Sequence, residues 1–400
     1  MIISPPSSGT ATHGHDPSID ARPSAAAASA HGYGASPAAE PSADAASTHG
    51  HDASPAAEAT AAADSVLGEL DIRPGTRVVT GDRPTGPLHL GHYLGTLANR
   101  VRLQERGANV TVVIADYQVI TDRDAPGPVR ERVHNLVAEY LAAGIDPDRS
   151  RIFPHSAIPA LNQLMLPFLS LVSDAELHRN PTVKAESLAS RRPLSALLLT
   201  YPVHQAADIL ALNGDLVPVG RDQLPHLELA RVIARRFNAR YGQVFTAPRA
   251  LLSGTPAVLG MDGAKMSKTR GNAILLGDTE DATAAAIDAA RTDADRHITY
   301  DPQTRPQVAN LLAITAALSG MTPELVARDI GHGGAAALKA RTVEVVNESL
   351  REFRRRRRAL LTDPGQLDAV LLDGAARATV TAAATLDRVR AAMGMSYVSG

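Results

Sequence analysis

Two histidines three residues apart, His89 and His92, and a Lys-Met-Ser-Lys-Thr run at 265–269 are the residues of this 400-residue chain best placed to do chemistry. Imidazole N–H groups and ammonium groups suit an anionic reactant, where they can stabilise charge that builds on transferring and leaving phosphates. The histidines sit in a telling context. Arg77 to Val79 reads as a short buried strand, Gly81, Pro84, Gly86 and Pro87 break the chain, and from Leu90 apolar residues recur at helical spacing. Strand, turn, helix is the geometry that aims a helix N-terminus at an anion. His89 and His92 then share one helical face, and Gly91 between them leaves room for a ligand against the backbone. The stretch is neither a Walker loop nor a dinucleotide fingerprint. Two histidines on a helix can equally be surface or core packing, and a Lys-Ser-Lys cluster in a Gly/Asp-rich loop (Gly260, Asp262, Gly263, Gly271) can simply be solvated.

The elements that must position these residues follow from the rest of the chain. Residues 1–64 are rich in Ala, Ser, Pro, Gly and His and carry one Arg against seven acids. They hold too little apolar surface to offset chain entropy, so they read as a disordered low-complexity tail. Thr-His-Gly-His-Asp occurs at 12–16 and 48–52, and Ala-Ser-Pro-Ala-Ala-Glu at 35–40 and 53–58. With a total charge of −2, the body behind the tail is weakly basic, which suits an RNA partner. There is no cysteine, which excludes disulfides, thiolate metal sites and Cys nucleophiles. No apolar run suggests a membrane span and no signal segment opens the chain, so the expectation is a cytoplasmic protein without a membrane partner.

Beyond the first strand–helix unit, 109–116 reads as a second buried strand ending in Asp116-Tyr117-Gln118, polar residues at a carboxyl end where open sheets bind ligands. A helix is expected over 128–143, a strand at 151–153 and a helix over 160–172. The polar stretch 180–192 reads as an exposed connection containing Lys184. Residues 194–212 are helical and apolar, interrupted at Tyr201-Pro202, with Asp208 amid Ala206-Ala207 and Ile209-Leu210. A carboxylate there needs a donor: a structural partner, or a ligand N–H. A strand at 215–219 runs into Gly220-Arg221-Asp222-Gln223, which starts a helix reaching about 240. After that the pattern is only helical: 280–291, 307–318, 323–330, 335–361 and 366–393. Arg354 to Arg358 are five consecutive arginines, either solvated or facing RNA phosphates. Strands alternating with helices, then helices alone, predict an α/β fold: a doubly wound parallel sheet over 65–275 followed by an all-helical domain over 276–400.

His-Leu-Gly-His at 89–92 resembles the HIGH signature of class I aminoacyl-tRNA synthetases, and Lys-Met-Ser-Lys-Thr matches KMSKS at four of five positions, in the expected order. Tyr201-Pro202, Ala206 to Leu210 and Asp215 to Gln223 are similar to the tryptophanyl branch, over about residues 75–397. The resemblance implies a Rossmann-like catalytic domain, a helical anticodon-binding domain, and activation of L-tryptophan by ATP for transfer to tRNA(Trp). It makes Asp208 the acceptor for the indole N–H, with Gln223, Gln118 and Gly81 also at the amino acid. Arg83, Pro84, Thr85, Gly91, His92, Gly220, Arg221 and Asp222 would bind ATP, and Lys265, Met266, Ser267, Lys268 and Thr269 its pyrophosphate end. His89, His92, Lys265 and Lys268 would be catalytic. Mg²⁺ would accompany the phosphates, with no dedicated protein metal site, and the family is homodimeric. The common form has Gln at Arg83, Asp-Gln-His at 116–118 and a lysine at Glu186; these departures resemble the divergent second bacterial type, an auxiliary form tolerant of tryptophan-mimicking antibiotics. A tyrosyl enzyme and a non-catalytic tRNA- or tryptophan-binding paralogue are the alternatives.

Overall fold

The computed structural model describes residues 72–121, 127–190, 193–220, 223–252 and 258–397. The tail expected over 1–64, and Arg221 and Asp222, lie outside the described residues. The strands are β1 (Arg77–Asp82), β2 (Asn109–Ile114), β3 (Arg151–Pro154), β4 (Leu216–Val219) and β5 (Arg249–Leu252), all parallel, in the order β3-β2-β1-β4-β5. The winding reverses between β1 and β4. That is the switch point, at whose carboxyl end ligands of such sheets bind.

Alternate strand residues enter opposite layers, as the period of two requires. Val78, Val110, Val112, Ile114 and Ile152 face one apolar cluster; Val79, Val113, Phe153 and Val217 face the other. The first cluster is filled from α1 (90–105) and α2 (Val129–Ala143). The second takes α3 (Pro159–Leu169), α6 (Ala196–Ala211) and α7 (Leu224–Tyr241), which follow the short helices α4 (Asp174–Arg179) and α5 (Pro181–Ser190). The doubly wound expectation therefore holds.

Local readings needed correction in four places. Gly81 does not break β1 but lies inside it: a Cβ there would stand 2.7 Å from the Val113 carbonyl oxygen, so glycine permits the close approach of β2. The polar stretch 180–192 is not a connection. Asn180 caps α5, its Oδ1 accepting from the N–H groups of Thr182 and Val183, and Pro181 occupies the first helical position. Val183 then packs with Leu198 and Tyr201. Pro202 does not interrupt α6, which runs through it and forgoes one backbone bond. Finally, β5 carries too few residues to show a strand pattern and was missed.

The C-terminal helices are α8 (Glu280–Asp288), α9 (Pro306–Ser319), α10 (Pro323–Ile330), α11 (Gly334–Leu361) and α12 (Pro364–Ala392). They match the expected spans closely. Helix α11 packs on α2, and α12 covers the edge strand β3, where a Cβ at Gly374 would stand 2.2 Å from the Ile152 carbonyl oxygen. By length and composition α12 could cross a membrane, contrary to the sequence expectation. Its Ala378, Ala382, Leu386 and Val389 are instead spent on the core of this fold.

One charged group inside this architecture holds three elements together. Asp82 ends β1 and accepts from Arg100 Nη2 of α1 at 3.1 Å and from the Tyr140 hydroxyl of α2 at 2.6 Å. Burial alone would raise the Asp82 carboxyl, but the Arg100 charge and hydrogen bonds outweigh it and hold it at about 2. A folded-state value below the unfolded one adds stability above the unfolded value, and that stability is lost as pH falls through the folded value. Asp82→Asn should therefore destabilise the fold by about 3 kcal/mol at neutral pH, leaving Arg100 buried and unpaired. Denaturant melts at several pH values should show the gap between wild type and variant closing as pH falls from about 4 towards 2. A pH-independent gap would show that the ion pair is not the cause.

Candidate active site

The two signatures meet at the carboxyl end of β1. His89 precedes the helix, in an extended conformation, and α1 runs as Leu90–His92, a wider π turn over Tyr93–Leu97, and Ala98–Glu105. Far along the chain, 274–276 returns beside 88–90. The Leu90 N–H donates to the Ile274 carbonyl at 2.9 Å and the Leu276 N–H to the Leu88 carbonyl at 3.0 Å. The lysine loop ends in the same segment. Lys268 Nζ lies 3.4 Å from Thr85 Oγ1 and so reaches the loop that leaves β1. Lys265 is exposed, and Met266 is buried in the same cluster as Leu90 and Leu94.

The imidazoles contribute hydrogen bonds rather than charge. Their ring centres stand 3.7 Å apart. Burial, then His92 and the two lysines, lowers His89 to about 3. Burial, with Lys268, Arg100 and Lys265 outweighing Asp82, lowers His92 to about 4. Both are neutral near pH 7 and keep an N–H to donate. The His89 backbone N–H donates to His92 Nδ1 at 3.2 Å, which leaves the His92 proton on Nε2 as a neutral donor. The space expected over Gly91 is already narrow: a Cβ there would meet the His89 ring at 3.1 Å. The cationic side chains at this turn are those of Lys265, Lys268 and Arg83.

Sequence reasoning did not find the residue that shapes the lysine loop. Asn272 Oδ1 accepts the Ser267 N–H at 2.8 Å, and its Nδ2 donates to Asp262 Oδ1 at 2.7 Å and to the Lys265 carbonyl at 3.2 Å. A Cβ at Gly260 would fall 2.2 Å from Asn272 Nδ2, so glycine makes the space for this amide. Thr269 follows in the short turn Lys268–Arg270, its side chain outside the described residues.

The second half of the site lies across the switch point. Asp208, on α6, is only 7% exposed. Its Oδ2 lies 3.4 Å from His155 Nδ1. The Tyr117 N–H donates to His155 Nε2 at 3.0 Å, so the His155 proton sits on Nδ1 and points at Asp208. Gln118 Nε2 stands 3.2 Å from His204 Nδ1, and the His155 and His204 rings stack at 4.5 Å. Among the described residues, three buried polar atoms here have no hydrogen-bond partner: Asp208 Oδ1, His204 Nε2 and Gln118 Oε1. Leaving such atoms unpaired costs about 1–3 kcal/mol each, which marks a place built for a polar ligand atom. His155, His204 and Asp208 are close enough to suggest metal ligands. The Tyr117 N–H, however, occupies the second nitrogen of His155, so Nδ1 must keep its proton and cannot ligate.

Gly81, the last residue but one of β1, and Gly220, which follows β4, lie at this same edge, and Pro84 after β1 is buried. The Gln223 N–H donates to the Gly220 carbonyl at 3.0 Å. Arg83 forms an ion pair with Glu186 of α5 and lies over the Tyr201 ring, 5.7 Å from its centre. The Tyr201 hydroxyl in turn lies 2.9 Å from His226 Nε2. His155 and His204 were invisible in the sequence as site residues, since lone histidines near apolar runs carry no spacing signal.

Residues 73–351 match the family described as tRNA synthetases class I (W and Y). The chain is 41% identical over 331 residues to the tryptophan–tRNA ligase of Treponema pallidum and 40% identical to that of Clostridium longisporum, in each case over 80% of this chain and 97% of the relative. The chain belongs to the class I tryptophanyl-tRNA synthetases. A solved tryptophanyl-tRNA synthetase from Campylobacter jejuni, complexed with ADP and tryptophan, superposes with a TM-score of 0.70 at 30% identity, over 80% of this chain and 99% of that one.

In this synthetase the lysine loop depends on one amide. Asn272→Ala removes three hydrogen bonds that order residues 262–267, each worth about 1 kcal/mol. Hydrogen exchange should accelerate across 260–272 while β1 and β2 stay protected. Uniform protection in the variant would show that the loop is held by its backbone alone.

Proposed function

We propose that the chain activates L-tryptophan with ATP to tryptophanyl-adenylate and transfers the acyl group to tRNA(Trp). The observation that carries this reading is the buried, half-satisfied Asp208: one oxygen is fixed by His155 and the other awaits a donor. An indole N–H is such a donor at a fixed place. The tryptophan carboxylate attacks the α-phosphate of ATP and pyrophosphate leaves, so catalysis rests on in-line positioning and on stabilising phosphate charge. Neutral His89 and His92 donate hydrogen bonds, and Lys265 and Lys268 meet the charge on the leaving pyrophosphate. Pro84, Thr85, Gly91 and Gly220 are assigned to ATP, as are Arg221 and Asp222 by the resemblance; Met266 anchors the lysine loop in the core, and Gln118, Gln223 and Gly81 are assigned to the amino acid. Mg²⁺ would accompany the phosphates and offset part of their charge beside Lys265 and Lys268.

The helices from α8 onward, residues 276–400, serve in this reading as the anticodon-binding part of a cytoplasmic homodimer. We also infer an auxiliary, antibiotic-tolerant form. Arg83, Glu186 and Gln118 depart from the common pattern in the pocket and its mouth. The chain itself contains no tryptophan, so its synthesis does not wait for its own product. An indole-bearing tryptophan mimic should inhibit it only at concentrations well above the KM for tryptophan; inhibition below that KM would remove the auxiliary reading.

Tryptophan-dependent ATP–pyrophosphate exchange tests the main reading. Asp208→Ala should lower kcat/KM for tryptophan about 10²-fold, as expected for losing a hydrogen bond to a buried charge. It should spare 3-(benzothienyl)alanine, which has sulfur in place of the N–H. Asp208→Asn guards against a folding defect, because it keeps an oxygen for His155. Equal losses with both amino acids in both variants would make Asp208 a structural residue. The lysines give a second check. Lys265→Ala and Lys268→Ala should each cost roughly 10²–10³ in kcat with little change in tryptophan affinity. Weakened tryptophan binding at an unchanged rate would show that the loop does not act on phosphate charge.

A further inference from the structure

One fully buried carboxylate is left over from this chemistry. Glu139, in the middle of α2, is 0% exposed. Its Oε2 accepts the backbone N–H of Leu88, the residue before His89, at 2.8 Å. Its Oε1 accepts from Arg357 Nε at 3.2 Å, and Arg357 Nη2 donates to Asn135 Oδ1 at 2.7 Å. Arg357 belongs to the five-arginine run, on α11. It also lies against the chain leaving the lysine loop, since a Cβ at Gly277 would stand 3.0 Å from its guanidinium carbon. The run therefore does not act as one unit. Arg354 is buried on Asn347 and Thr283, Arg355 and Arg356 pair with Glu352, and Arg357 points into the catalytic part.

A neutral acceptor would satisfy the Leu88 N–H equally well. A buried carboxylate is costly unless it is paired, so its charge here answers to Arg357. Burial pushes the Glu139 carboxyl up to about 7, with the Leu88 N–H and Arg357 pulling against it, so at neutral pH its ionised form depends on both partners. Residues 88–90 are thus pinned on one side by 274–276 and on the other by a charge whose counter-ion sits on α11.

We propose that Glu139 and Arg357 are positioning residues for adenylate formation, through which α11 holds the His89–His92 turn in register with the lysine loop. The proposal rests on the adenylating function given above. A shift of α11 moves Arg357, and with it both the carboxylate on Leu88 and the Gly277 flank of the loop. A displacement of about 1 Å at reacting groups can cost roughly 10² in rate, so a small shift suffices.

The test is a double-mutant cycle on the full chain, read by tryptophan-dependent pyrophosphate exchange. Glu139→Gln keeps the volume and the acceptor for Leu88, Arg357→Met removes the charge, and Arg357→Lys retains it. Each of the first two should lower kcat roughly tenfold with the KM for tryptophan unchanged. The double variant should fall no further than the worse single one, and Arg357→Lys should recover part of the rate. Losses that multiply in the double variant, or a lowered melting temperature with wild-type kcat, overturn the proposal. Wild-type protein without tryptophan-dependent exchange would instead overturn the functional reading, and this inference with it.

Discussion

The structure depends on two main-chain hydrogen bonds that join segments far apart in sequence, 88–90 and 274–276. Each segment borders one of the two motifs, the His89–His92 turn and the lysine loop. Neither can be held by its own element alone: the turn after β1 is broken by Pro84, Gly86 and Pro87, and the lysine loop has almost no regular structure. Pairing the two flanks fixes the imidazoles relative to the lysines. Lys268 and Thr85 then come within reach because their backbones already run together. Backbone pairing of this kind tolerates side-chain change, so the geometry does not rest on any one residue at 88–90.

Charge in this site is divided by burial. His89 and His92 are packed deeply enough to lose their protons, whereas Lys265 stays exposed on its loop. A buried positive histidine next to two lysines would be repelled by them. A neutral imidazole donates the same hydrogen bond to a phosphate oxygen without that penalty. The division also suits motion, since a solvated ammonium on a loop can follow a leaving group while a buried donor stays fixed.

How much of this was legible in the sequence depends on the range of the interaction. The sheet, the long helices and both signatures follow patterns of local period, and 323–330 and 335–361 fall where α10 and α11 do. The Asn180 cap was equally local and was missed because a polar run was read as a loop without testing its Asn-Pro start. Asn272, Glu139, Arg100 and the His155–His204 stack are different. Each acts through partners between 5 and more than 200 residues away, and no spacing rule announces them. Asp208 lies between these cases: its apolar surroundings showed that it needs a donor, but not that His155 supplies one and leaves the other oxygen open.

The two departures at the mouth of the site are best understood together. Arg83 and Glu186 are the positions at which the resemblance implied a neutral Gln and a lysine; in the fold these two side chains form an ion pair. Taken singly, the first is a cation and the second an anion. Taken as a pair they nearly cancel. Arg83 is further held by the Tyr201 face, whose hydroxyl is fixed by His226. A guanidinium bound on two sides is preorganised but also partly neutralised. The fold sets a side chain of α5 against one that follows β1, more than 100 residues earlier.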